Sequence, residues 1–207
     1  MKEYSFGNTH IYIKELPLEI EQLLLLCNND IRGKVSMCKS MRRKREIIVS
    51  HLMVKDILGN EAMIDHDING APILVGVDGY ISISHSTTDI AIAINPNHCI
   101  GIDIETWREQ LIKVKERFLS QKEIIHYASP QFMLQAWTMK EALYKVAQSP
   151  GISLADDIML PIEKDDNIAK VNTTKGMRDF EIHVIESTSS RSISLAYPLK
   201  SNQKNRL

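Results

Sequence analysis

Two runs of strict alternation stand out along this chain. Tyr80-Ile81-Ser82-Ile83-Ser84 and Ile90-Ala91-Ile92-Ala93-Ile94 each repeat with period two, across the polar connection His85-Ser86-Thr87-Thr88-Asp89. That pattern predicts a β-hairpin over 80–94. Asn95-Pro96-Asn97 then turns the chain into Gly101-Ile102-Asp103-Ile104-Glu105, so the expectation is a meander of three adjacent strands. His85 would sit at one turn of that meander and the two carboxylates at its far end. On a strand, alternate side chains share a face, so Asp103 and Glu105 point one way while Ile102 and Ile104 point into a core.

Elsewhere the period is helical or mixed. Residues 9–13 alternate enough for a strand, and Pro17 opens a helix whose apolar content is Leu18, Leu23, Leu25 and Leu26. Ile47, Ile48, Leu52, Met53, Ile57 and Leu58 make a wide apolar stripe over a helix at 41–58, stopped by Gly59-Asn60. Asn69-Gly70-Ala71-Pro72 is a turn signal. Ser120-Gln121-Lys122-Glu123 matches a capping box. Ser129-Pro130 supplies an N-cap and first-turn proline for a helix over 131–147, and Gln148-Ser149-Pro150-Gly151 ends it. Strands follow near 157–162, 168–173, 179–185 and 191–197. Each half therefore reads as helices followed by strands, which permits two related subdomains meeting near residues 96–100.

Composition changes this picture little. The 207 residues are 43% hydrophobic and 25% charged, with 25 basic and 26 acidic groups for a net charge of −1. Such a chain can bury a real core as one domain or two, and its charge balance argues neither for nor against nucleic acid. Local asymmetry is clearer: Lys39, Arg42, Arg43, Lys44 and Arg45 form a basic run, and Asp156, Asp157, Glu163, Asp165 and Asp166 an acidic one. Cys27, Cys38 and Cys99 are odd in number and lack metal-binding spacing, so they read as reduced thiols. Leu23 to Leu26 is too short for a membrane span, and no signal peptide is legible at the N-terminus. The expectation is a soluble cytoplasmic protein.

The chemistry gathers in two stretches. In Trp137-Thr138-Met139-Lys140-Glu141-Ala142-Leu143-Tyr144-Lys145, the residues at i, i+4 and i+8 (Trp137, Glu141, Lys145) lie near one helix face. If that face meets the strand at 101–105, then Asp103, Glu105 and Glu141 converge with lysines beside them. Three clustered carboxylates suit Mg²⁺, which keeps several waters and shares the rest with a substrate phosphate. Taken singly, each group also reads as an ordinary surface charge. Trp137 reads first as a core anchor.

Three stretches in order (Ile83-Ser84-His85-Ser86, then 101–105, then 137–145), with Arg117-Phe118-Leu119-Ser120-Gln121-Lys122-Glu123 between the last two, resemble the signatures of the 4′-phosphopantetheinyl transferase superfamily. The nearest likeness is the long, surfactin-synthetase-activating type, and it covers roughly residues 70–162. The resemblance implies transfer of the phosphopantetheine arm of coenzyme A to a serine of an apo acyl or peptidyl carrier protein, releasing adenosine 3′,5′-bisphosphate. It further implies an α/β (α+β) fold of two similar subdomains, 1–97 and 98–207, forming a pseudo-dimer within a monomer. Coenzyme A and Mg²⁺ would lie between them, with neither nucleic acid nor membrane as partner.

By the same resemblance, Asp103, Glu105 and Glu141 are the metal ligands, with Glu105 and Glu141 acting directly or through water. Glu141 is alternatively the base for the incoming serine, and Glu105 or Glu123 competes for that role. Lys145 would stabilise the leaving group. Ser84 and His85 contact coenzyme A phosphates, as does Lys140, although it is turned about 100° from Glu141. One basic residue among 42–45, with Arg45 favoured, meets the 3′-phosphate. Glu123 reads equally as a site residue or as a helix cap. One departure is visible: many relatives carry Gly-Lys-Pro where this chain has Gly70-Ala71-Pro72, which removes one expected phosphate contact. Three carboxylates and lysines do not themselves specify the acceptor. Another Mg²⁺-dependent enzyme acting on a nucleotide pyrophosphate, or a carrier-binding module without catalysis, remains open at this point. The carrier, the pathway and the tolerance for acylated coenzyme A are not legible.

Overall fold

The computed structural model describes residues 1–163 and 166–199. Asp165 of the acidic run and residues 200–207 of the second expected subdomain lie outside the described residues. The first half contains β1 (Lys2–Phe6), β2 (Thr9–Glu15), α1 (Glu21–Leu25), α2 (Asn29–Met37), α3 (Met41–Leu58), β3 (Met63–His66), β4 (Pro72–Val75), β5 (Tyr80–His85) and β6 (Asp89–Asn95). The second contains β7 (Gly101–Thr106), α4 (Gln110–Val114), a 3₁₀ turn at Lys115–Arg117, α5 (Gln121–His126), α6 (Pro130–Ala147), β8 (Ile158–Met159), β9 (Ile168–Thr173), β10 (Gly176–Ser187) and β11 (Arg191–Pro198). The result is a mixed α+β protein with two sheet-bearing halves. Among the described residues no helix is long and apolar enough to cross a membrane.

Sheet order is β1-β2-β6-β5 in the first half and β7-β11-β10-β9-β8 in the second, with β3-β4 a separate ribbon. Alternation decides which face each residue takes. Ile81, Ile90, Ile92 and Ile94 pack with Val49, Met53 and Val54 of α3. The opposite face offers Ile11, Ile13, Ala91 and Ala93, which meet Ile102, Ile104, Ile193 and Leu195 of the second sheet. The outer face of that sheet is covered by α6 through Leu134, Ala142, Leu143 and Val146. Four layers result: helix, sheet, sheet, helix. The two sheets close along β5 and β7, where the Ser82 and Ser84 hydroxyls accept from the Ile102 and Ile104 N–H groups at 3.0 and 3.3 Å. Backbone donors on the edge of β7 thus find partners without a further strand.

Both long helices run as their caps dictate. The Ser40 side chain accepts from Arg43 N to start α3, and Gly59 at φ 97° ends it. The Ser129 side chain accepts from Phe132 N to start α6, and Gln148 in the left-handed region ends it. The box at Ser120 is present with both of its hydrogen bonds.

Three expectations need correction. β7 does not continue a meander: it leaves β6 and pairs with β11, while the free edge of β6 is taken by β2. Asn95 caps the N–H groups of Asn97 and His98 at 2.7 and 3.1 Å, and Pro96 has no N–H to offer, so the chain turns out of the first sheet into the next layer. The carboxylates consequently lie beside Ser84, not remote from it. The helix expected from Pro17 shrinks to Glu21–Leu25, with Leu18 and Leu25 exposed. An Asn28 cap opens the unanticipated α2, and β1 was likewise not expected.

Candidate active site

Gly101 sets the geometry of the site. A Cβ there would stand 2.0 Å from the Ala142 carbonyl oxygen, so only glycine lets α6 lie directly on β7. That contact brings Lys145 to the strand: its Nζ donates to Asp103 Oδ1 and to the Ile102 carbonyl, both at 2.8 Å. The Ser84 hydroxyl reaches the same Oδ1 from β5 at 2.7 Å. Asp103 is buried, and its Oδ2 has no hydrogen-bond partner among the described residues.

Glu141 and Glu105 complete the group. Burial, then the charge of Asp103, pushes the Glu141 carboxyl up to about 7, against the opposing pull of Lys145. Burial and Asp103 also raise Glu105, while Arg108, the Trp137 indole and Arg42 oppose the rise. Arg108 reaches Glu105 at 3.4 Å, and its guanidinium lies 5.7 Å from the centre of the Trp137 ring. Trp137 in turn packs edge-on against Phe118, as a core anchor at the rim of the site. The expected helix face of Trp137, Glu141 and Lys145 does meet β7.

These residues fit a divalent cation. The charge of Asp103 adds to burial in raising Glu141 and Glu105, and a buried carboxylate oxygen without a partner would gain one from a hard cation. As they stand, no three His, Cys, Asp or Glu side chains among the described residues are arranged to hold a metal. Lys145 holds one oxygen of Asp103 instead.

Beside this centre lies a cleft of about 540 Å³, bounded by the loop at 67–72, β5 and the C-terminal end of α6. Its lining includes Asp67, Ala71, Ser82, Tyr144 and Lys145. A second cluster joins α3 to β5. Glu46 Oε1 accepts from Arg42 Nε at 2.9 Å, its Oε2 accepts from Arg43 Nη1 at 3.1 Å, and His85 Nε2 stands 3.1 Å from that same Oε2. Burial lowers the proton affinity of His85, opposed by Glu46.

Four sequence expectations change at this point. Lys140 is fully buried and donates to Glu123 at 2.9 Å and to the carbonyls of Leu154 and Ile158, so it faces the second core and not a coenzyme. Its 100° offset from Glu141 on the helix decides this. Glu123 is taken as well: it accepts from Ser120 N, Leu160 N and Lys140, each at 2.8–2.9 Å. The hydroxyl of Ser84 serves Asp103 and the Ile104 N–H, so it positions a carboxylate. Arg45 lines a different cleft, with Thr87, Asp89 and Arg191, and its Nε is buried without a partner among the described residues. Arg42 and Arg43 are the members of the basic run that share Glu46 with His85. Sequence reasoning missed Glu46 and Arg108. The spacing of Arg42, Arg43 and Glu46 at i, i+3 and i+4 was a legible signal, but nothing local told that Glu46 is buried.

Residues 99–198 match the family model of the 4′-phosphopantetheinyl transferase superfamily. The matched segment runs from just before β7 to the end of β11 and includes Asp103, Glu105, Glu141 and Lys145. None of the curated proteins matches the chain.

Proposed function

We propose that this protein transfers the 4′-phosphopantetheine arm of coenzyme A to a serine of an apo acyl or peptidyl carrier protein. The observation that carries the reading is the convergence of Asp103, Glu105 and Glu141 on Lys145, which itself lines the neighbouring cleft, on a segment that matches the phosphopantetheinyl transferase superfamily. In the reaction a serine oxygen bonds to the β-phosphorus of coenzyme A. The pyrophosphate P–O bond breaks, and adenosine 3′,5′-bisphosphate leaves.

Each residue has a place in that step. Glu141, held near neutral affinity for a proton, takes the serine proton directly or through water. Lys145, anchored at the end of β7, faces the leaving phosphate and stabilises its charge. Asp103 and Glu105 would hold Mg²⁺, with Glu141 as a third ligand only where it is not the base, and the ion would neutralise the pyrophosphate and favour in-line attack. Ser84 fixes Asp103, and Arg108 with Trp137 restrains Glu105. Ala71 lines the cleft where many relatives place a lysine, so one phosphate contact is absent there.

The long, pseudo-dimeric form of the family is supported by connectivity. In each half an early strand pairs with the last, which pairs with the one before it: β2-β6-β5 and β7-β11-β10. Each half also lays an 18-residue helix on its sheet. Residues from both subdomains, taken as 1–97 and 98–207, line the cleft within one chain, in keeping with a working monomer, and three free thiols accord with a reducing cytoplasm.

The test is the intact mass of an apo acyl carrier protein after incubation with this protein, coenzyme A and Mg²⁺. A gain of one phosphopantetheine arm, abolished by chelation, is the expected result. No gain with an acyl and then a peptidyl carrier, despite measurable coenzyme A binding, would overturn it.

A further inference from the structure

We propose that Arg191 is a positioning residue for the transfer: by meeting Asp89 at the local two-fold axis between the halves, it holds the end of β5 against β7 and keeps Ser84 on Asp103. This inference rests on the transferase reading for the use made of Asp103. Its footing is a pair of hairpin turns built alike, whose equivalent residues carry opposite charges and touch.

In the turn after β5, Ser86 N donates to the Asp89 carbonyl at 2.9 Å. The Ser86 hydroxyl accepts from the N–H groups of Thr88 and Asp89 at 3.3 and 3.0 Å. In the turn after β10, Thr188 N donates to the Arg191 carbonyl at 2.9 Å. The Thr188 hydroxyl accepts from the N–H groups of Ser190 and Arg191 at 3.3 and 2.9 Å. Each turn also receives the chain that leaves the neighbouring strand: Leu16 N donates to the Thr88 carbonyl at 2.7 Å, and Trp107 N to the Ser190 carbonyl at 2.8 Å. Asp89 and Arg191 are therefore equivalent positions, each accepting the bond that closes its turn. Arg191 Nη1 donates to Asp89 Oδ1 at 3.3 Å. Equivalent residues in contact lie on the axis that relates the two copies.

Stability alone does not call for this pair. The Asp89 and Arg191 side chains are 7% and 21% exposed. Desolvation offsets most of the attraction in a buried ion pair, and its best-attested use is to select one arrangement over another. At this axis a pairing of like halves would set Asp89 against Asp89 or Arg191 against Arg191, a costly repulsion. Opposite charges favour the union of unlike halves, and only that union brings Ser84 to Asp103. Glu186 fixes the guanidinium through Nε and Nη2, both at 2.7 Å, which leaves Nη1 for Asp89. Arg191 pairs across the sheet with Thr106, next to Glu105 on β7, and Asp89 opens β6 just after the turn from β5. The ion pair thus clasps the ends of β5 and β7. Along the same seam follow Thr87 with Thr106 at 3.3 Å and Ser84 with Asp103 at 2.7 Å. The ion pair is the rung at which both partners are charged, and it sets the spacing at which Ser84 reaches Asp103.

The experiment measures Mg²⁺ dissociation constants by titration calorimetry with coenzyme A present, for the full chain and for Arg191→Gln and Arg191→Lys. Each variant is made with and without Ser84→Ala, and urea denaturation is recorded beside it. For Arg191→Gln, Mg²⁺ binding is expected to weaken about tenfold, as when a group that orients a ligand is lost. Arg191→Lys, which keeps the charge, should recover part of this. In the Ser84→Ala background the same substitution should weaken binding by less than about twofold further, because Arg191 acts through Ser84. Asp89→Asn keeps the shape and the Arg191–Glu186 pair, so it carries the test if Arg191→Gln does not fold, with the same pattern expected. A merely structural role would move the urea midpoint and leave Mg²⁺ affinity alone, or weaken it equally in both backgrounds. Either outcome overturns the proposal, as does a wild type that binds no Mg²⁺. The calorimetry uses no carrier protein. Failure of arm transfer in the mass assay, with the coupling as expected, would overturn the transferase reading and leave the role of Arg191 at Asp103 standing.

Discussion

The Ser84 hydroxyl donates to Asp103 Oδ1 across 2.7 Å, joining the first sheet to the second at the carboxylate on which the site is built. The same hydroxyl accepts from the Ile104 N–H. Ser84→Ala removes both partners in a buried place. It should lower stability by about 1–3 kcal/mol, read by urea denaturation, and reduce Mg²⁺ affinity or transfer roughly 10–100-fold, as loss of a ligand-orienting group does.

Glu141→Gln keeps the shape of the side chain and removes its ability to take a proton. Transfer to an apo carrier should fall by at least about 10²-fold, measured by intact mass against time, while carrier docking is retained. An unaltered rate would remove Glu141 from its assigned role.

Gly101→Ala tests the contact between β7 and α6. The added Cβ would press on the Ala142 carbonyl at 2.0 Å, and backbone must shift to relieve it. A loss of about 1–3 kcal/mol or more is expected. Activity should fall further than stability predicts, because Lys145 loses its register with Asp103. A variant as stable and active as the wild type would contradict this account of the close approach.

Lys140→Met separates the two lysines of the helix. It leaves Glu123 buried without its cation, so stability should drop by about 3–5 kcal/mol. Coenzyme A affinity of the folded protein should stay unchanged, since Lys140 lies wholly inside the second core. A weakened coenzyme A dissociation constant at full folding would restore Lys140 to the site.

His51 adds one component to the pH dependence of stability, opposite in sign to that of the raised Glu141. Burial first, and Lys34 second, lower its proton affinity from 6.5 to about 4. Between those values the unfolded chain binds a proton that the folded chain refuses, so stability rises with pH across the window and is lost as pH falls through it. Relative to His51→Gln, the wild type should lose stability from pH 6.5 down to 4 and run parallel above 7. Parallel curves throughout would exclude His51 as the cause.

Much of the site was legible because its signals are short-range. The alternation of 101–105 sends Ile102 and Ile104 to the core and Asp103 and Glu105 the other way. The four-residue spacing of Glu141 and Lys145 puts both on the face of α6 that meets β7. The caps at Ser120 and Ser129 mark helix starts that the structure keeps. Less legible was anything that depends on what a side chain meets across the chain. Lys140 and Lys145 are alike in sequence, but one is buried against Glu123 and the other reaches Asp103.

By itself, then, the sequence determined where the two long helices and the strands around the site lie, which residues share a face, and the set of acids and cations available for chemistry. These follow from periodicity and capping over a few residues. Tertiary structure decided that β7 pairs with β11, that Ser84 serves Asp103, that Arg42 and Arg43 rather than Arg45 share Glu46 with His85, and that Glu46 is buried among them. Each of these is a choice between partners distant in the chain. Such choices turn on whole-sheet packing and on which polar groups must be satisfied once water is excluded.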